Sequence, residues 1–167
     1  MVDLVTRFCD KNASIFRNLD INIENPSGSR FEYPVNLFLF EILLMNIISN
    51  AIKYNESPDP RLTIVFRSYL QKITIDFIDN GIGVDKQEAK KIFRKFYQAG
   101  RKSDSGNTGS GLGLYLVSSI AMIHGWRASV SSEGKGKGSK FTITIPRASI
   151  ASVRDKELWK RLKKNVF

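Results

Sequence analysis

The chain has 167 residues, 42% of them hydrophobic and 25% charged, with a net charge of +10. These are the proportions of an ordinary folded domain large enough to bury its own core. The absence of any run of 18 apolar residues excludes a membrane-spanning helix, and a single cysteine, Cys9, excludes an internal disulfide.

The opening MVDLVTRFCDKN carries charges where the apolar core of a signal peptide would lie, so no secretory signal is expected. Cys9 then fits a reducing compartment, as a small packed residue rather than a nucleophile. Leu4 and Phe8, four apart, predict a short helix within residues 2–17. Leu19, Ile21 and Ile23 alternate as a strand does; NPSGS is a turn, and Phe31 to Tyr33 are expected to pair back as a second short strand. A long helix should start at Pro34, a favourable first helical position, and run to the break at ESPDP. It carries Leu37, Phe40, Leu44, Ile47, Ile48 and Ala51, yet also Asn46, Asn50 and Lys53 at intervals of four and three. Asparagine is a poor helix former, so these polar groups lie on a wet face or have something to hold.

RLTIVFRS and KITIDFID read as two period-two strands; in the second, Asp79 ends a row formed by Ile73, Ile75 and Phe77. DNGIG follows, then a basic amphipathic helix is expected over 85–95. YQAGRKSDSGNTGSG has almost no apolar periodicity and reads as a long loop. LGLYLVSSIAMIHG predicts a helix starting just after the glycines, and WRASVSS and SKFTITIP are strands around EGKGKG. Half of the net charge sits in residues 147–167, with seven Lys or Arg and two acids. Lys86, Lys90, Lys91, Arg94, Lys95, Arg101 and Lys102 form a second concentration. Such patches suit phosphates, nucleic acid or anionic membrane, or are simply solvated surface. In the tail, Trp159, Leu162 and Val166 share one helical face, which leaves an amphipathic helix open.

Taken singly the glycine motifs are weak. DNGIG can be a plain turn. TGSGLGL, 108–114, leads into a helix N-terminus, where free amides favour an anion, but no Lys-Ser/Thr follows it as in a P-loop. The order is what is specific: Asn46-x-x-x-Asn50-x-x-Lys53-Tyr54 on a helix, DNGIG at a strand end, IFRKFYQ, then TGSGLGL at a helix start. This succession resembles the ATP-binding catalytic domain of sensor histidine kinases, in the superfamily of type II topoisomerase, heat-shock chaperone and mismatch-repair ATPases. The resemblance covers about residues 19–146.

The resemblance implies an α+β fold: a two-layer sandwich with helices on one face of a mixed, mainly antiparallel sheet (the Bergerat-type ATP-binding fold). Residues 1–18 would be the end of a connecting helix and 147–167 a basic tail. ATP and Mg²⁺ are the implied ligands. Asn50 would bind Mg²⁺ with Asn46 near the same ion, in keeping with a cation that takes few protein oxygens and bridges phosphates. Lys53 would contact phosphate and Tyr54 the nucleotide. Asp79 would accept from the exocyclic amine of adenine, with Gly81 and Gly83 letting the nucleotide approach the backbone. Ser139, or less well Thr142, would stand near adenine; both also suit ordinary strand positions. Residues 96–108 would form a lid that brings Arg101 and Lys102 to the phosphates, with Gly109, Gly111, Leu112 and Gly113 as hinge and phosphate-facing turn, and Phe93 and Phe96 as packing anchors.

The chain also departs from the family pattern. Asn46 stands where the related hydrolases have a water-activating Glu, so slow hydrolysis is expected. Gln98 stands where many members have Arg, and Trp126 where a second glycine is common. The phosphoacceptor histidine is absent, His124 matching a helix-end histidine that is not the acceptor. The implied partners are therefore a phosphoacceptor histidine domain, in a longer chain or in trans, and a response regulator. No nucleic acid is expected, membrane only through further segments, and the setting is cytoplasmic. A serine kinase of the anti-sigma type and a non-catalytic nucleotide-binding module remain as alternatives.

Overall fold

The computed structural model describes residues 1–31, 33–98 and 110–147. Five strands form one sheet in the order β1-β2-β3-β5-β4. They are β1 (Asp20–Glu24), β2 (Arg61–Ser68), β3 (Lys72–Asp79), β4 (Arg127–Ser131) and β5 (Ser139–Pro146). β1 runs parallel to β2, and the other neighbours are antiparallel. A parallel pair needs a long crossover, here the chain that carries helix α2 (Leu37–Lys53). The sheet is mixed and mainly antiparallel, as expected, with α2 and α3 (Gly113–Ile123) packed on each other beside it.

Period-two patterning places the core. Ile73, Ile75 and Phe77 of β3 lie opposite Ile145, Ile143 and Phe141 of β5, and all six are buried. α2 covers them with Phe40, Leu43, Leu44, Ile47, Ile48 and Ala51. Helix α1 (Val2–Lys11) adds Val5 and Phe8 to the same core, and the terminal amine donates to the Phe31 carbonyl at 2.7 Å. Residues 1–18 are thus packed into the domain. Burial, with the nearby Asp10, pushes the Cys9 thiol up to about 11, so it is protonated at neutral pH.

Four local expectations change. α2 starts at Leu37 rather than Pro34, because the Asn36 side chain accepts the Leu39 N–H at 3.1 Å and caps the helix there. Phe31 and Tyr33 are buried without joining a strand. Residues 85–95 form successive tight turns rather than a helix, with Glu88, Lys91 and Arg94 N–H groups donating three residues back. Lys86, Lys90 and Arg94, and Lys91 and Lys95, would repel at four-residue spacing in a regular helix, and only Ile92 of this stretch is buried. Phe96 is 62% exposed and so is not a packing anchor. Its backbone takes a left-handed φ of 63° and donates to the Gly111 carbonyl at 3.0 Å. The anticipated tail helix lies outside the described residues.

Candidate functional site

The sheet ends β3 and begins β5 side by side, pairing Asp79 with Ser139. Asp79 Oδ1 accepts two backbone N–H groups, from Gly81 at 2.8 Å and Ser139 at 3.1 Å. No side chain of a described residue donates to the carboxylate. Burial raises the carboxyl pKa, and the backbone N–H groups of Gly81, Ser139 and Asp79 itself partly oppose the shift.

A cleft opens in front of it. Asn50 of α2, Tyr54 just after it, Asp79, Gly83, Gln98 and Ser139 line it, between apolar walls of Ile82, Val84, Ile92, Leu114 and Phe141, with Tyr97 also on its surface. A slot walled by apolar groups and lined by one carboxylate suits a flat heterocycle that carries an amine. The Asn50 carboxamide has no partner among the described residues and is the neutral oxygen ligand available to a cation arriving on phosphate. No three His, Cys, Asp or Glu residues converge as a protein-only metal site among the described residues. That donor set fits Mg²⁺, which keeps its waters and binds through substrate phosphates.

The structure separates the remaining candidates. Lys53 is exposed on the same helix, its Nζ 5.2 Å from the Tyr54 ring centre. Asn46 does not line the cleft; its Nδ2 donates to Ile42 O at 2.8 Å, and its Oδ1 lies only 2.7 Å from where a Cβ on Gly113 would be. The glycine thus lets α2 and the first turn of α3 meet. Gly111 takes φ 67° against the Phe96 backbone, and the Leu112 N–H donates to Ser110 Oγ at 3.3 Å. Gly81 touches the Tyr54 carbonyl, which a Cβ would approach to 2.3 Å. Its lack of a side chain therefore serves a chain crossing. Thr142 requires correction as an adenine contact. It lies on the other face of the sheet, donating to Asp76 at 2.7 Å beside the Asp76–Arg67 ion pair. Arg101, Lys102 and Gly109 lie outside the described residues.

His124 closes the far end of α3. Its Nδ1 meets Ile120 O at 2.8 Å, while its Nε2 accepts the Asn36 N–H at 3.2 Å. Both nitrogens are used by the neutral ring, and burial lowers its pKa. Its ring also packs 4.6 Å from buried Trp126. The apolar walls were not anticipated from the sequence. Their signal was present: Ile82 and Val84 alternate with the motif glycines, and Phe141 follows Ser139 at strand spacing.

Fold and cleft together define a nucleotide-binding α+β sandwich. Residues 37–149 match the family described as histidine kinase-, DNA gyrase B- and HSP90-like ATPase. The chain belongs to that family, and the curated relatives it matches include sensor histidine kinases. It is 32% identical over 152 residues to the sensor histidine kinase RppB of Synechocystis sp., covering 90% of this chain and 32% of RppB. The chain therefore spans about a third of the length of that curated relative. Among solved structures, the mycobacterial sensor histidine kinase MprB superposes with a TM-score of 0.72 at 18% identity, covering 86% of this chain and 92% of that one. Full-length ShkA in complex with AMPPNP gives 0.72 at 21%, covering 87% and 29%.

Proposed function

We propose that this domain binds Mg–ATP in the cleft and transfers the γ-phosphoryl group to a histidine on a separate phosphoacceptor domain, from which it passes to a response regulator in the cytoplasm. The observation that carries the reading is one apolar cleft lined both by the Asp79 carboxylate, held by backbone N–H groups, and by the Asn50 amide, which has no partner among the described residues. Asp79 Oδ2 accepts the adenine amine; guanine would present an oxygen there and be repelled. Ile82, Val84 and Phe141 enclose the ring. Asn50 supplies an oxygen to Mg²⁺, which when bound neutralises phosphate charge. Lys53 adds a cation on the same side, and the α3 N-terminus adds free amides. Phosphoryl transfer asks the protein chiefly for positioning and charge stabilisation, and these groups provide both.

The acceptor comes from elsewhere, because the two nitrogens of His124 are committed to Ile120 and Asn36. α3 leads away from the cleft with Tyr115, Leu116, Met122 and Ile123 exposed; Tyr115 with Met122 and Leu116 with Ile123 are seven residues, about two turns, apart, so they form an apolar stripe on which a partner helix would dock. Incubation with γ-labelled ATP and a purified phosphoacceptor domain tests the proposal. Label on the partner that is lost in acid supports it. Acid-stable label would indicate the serine-kinase alternative, and nucleotide binding without transfer to any partner would indicate a binding module.

A further inference from the structure

The side chain of Asn80 lies outside the cleft, yet all of its hydrogen-bonding capacity is used. Its Oδ1 accepts from Asn55 Nδ2 and from the Arg61 N–H, each at 2.8 Å. Its Nδ2 donates to Asp59 O at 2.9 Å and to Ser57 Oγ at 3.3 Å. A carboxamide has two donors and two acceptor lone pairs, so none is left over. All four partners belong to the connection from α2 to the first residue of β2, while Asn80 itself directly follows Asp79. A second tie runs beside this one: the Ile82 N–H donates to Tyr54 O at 2.9 Å.

The geometry has a consequence for ligand binding. α2 and its C-cap bring Asn50 and Tyr54 to the cleft, with Lys53 exposed beside them; β3 brings Asp79 to it. A nucleotide must reach both at once, base at Asp79 and phosphates at α2. Once one end is held, the other binds as an intramolecular event whose strength depends on how well the spacing is fixed beforehand. Residues 55–60 contain two prolines and no helix or strand, so they do not fix that spacing by regular structure. We propose that Asn80 is the positioning residue that sets the distance between the phosphate side of the site and the base-reading acid, coupling the two halves of the nucleotide. The inference rests on the nucleotide reading given above.

The test compares adenosine with Mg–AMPPNP by NMR titration of the isotope-labelled chain, as wild type, Asn80→Ala and Asn55→Ala. Adenosine should bind Asn80→Ala within about twofold of wild type, since its contacts at Asp79 do not involve the spacing, while Mg–AMPPNP should weaken about tenfold. The ratio of the two Kd values therefore changes about tenfold. Asn55→Ala removes one of the four bonds and should shift the ratio in the same direction by about threefold. A residue that only supports the fold would move both ligands together or neither, so an unchanged ratio in the two variants overturns the proposal. If Asn80→Ala does not give a folded spectrum, the ratio in Asn55→Ala decides alone. Wild type that binds neither ligand would overturn the nucleotide reading itself, and the positioning role with it.

Discussion

Asp79→Asn separates recognition from folding. The substituted amide keeps an oxygen where Oδ1 accepts from Gly81 and Ser139, at 2.8 and 3.1 Å, so the loop that follows β3 retains its anchor. At the other position an acceptor becomes an NH₂ donor that faces the adenine amine. Losing a hydrogen bond to a charged acceptor costs roughly 1.5–3 kcal/mol. Opposing two donors in a partly buried slot adds about 1–3 kcal/mol. A total of roughly 2.5–6 kcal/mol corresponds to a Kd about two to four orders of magnitude weaker. Stability should move the other way. The folded pKa of Asp79 lies above its unfolded value because burial disfavours the charge, so at neutral pH the ionised group subtracts stability that the neutral amide restores. Calorimetry with Mg–AMPPNP, paired with a denaturant titration, measures both quantities. Affinity within about threefold of wild type would refute the adenine assignment. Lost binding accompanied by a large fall in stability would refute the separation of the two effects.

Gly138→Ala should be among the most damaging single changes, because the residue has φ 67° and an added Cβ would lie 2.0 Å from the Asp79 carbonyl. A loss of about 3 kcal/mol or more is expected in urea titration, and an unchanged midpoint would show that the loop yields easily. His124 predicts a pH dependence. Its folded pKa is depressed, so its contribution is fully present above the unfolded value near 6.5 and is lost as pH falls toward the folded value. Unfolding free energy measured from pH 7.5 down to 5.5 should decline more steeply in wild type than in His124→Gln; parallel curves would count against the neutral-ring assignment. Thr142→Ala should leave nucleotide affinity within about twofold while costing about 1 kcal/mol of stability through the lost bond to Asp76. A clear loss of affinity would return Thr142 to the site.

The sequence alone determined the five strands that form, because alternation of Ile, Phe and Val with polar residues marks a face suited to a core, but the same reading put a strand at Phe31 to Tyr33 where none forms. It also determined the identity of the motif residues, since Asn50, Asp79 and the glycines stand in an order that few folds require. What it left open depended on contacts between distant parts of the chain. Like charges spaced four apart were readable over residues 85–95, but their effect was decided only where the domain buried Ile92 alone. Ser139 and Thr142 are equivalent in sequence as polar strand residues, and three positions place them on opposite faces; pairing with Asp79 shows which face holds the cleft. Asn80 is an ordinary turn residue in one dimension, and only the fold brings Asn55, Ser57, Asp59 and Arg61 around it. Local periodicity records which side of an element is buried, whereas the partners of a polar side chain are chosen by the packing of the whole chain.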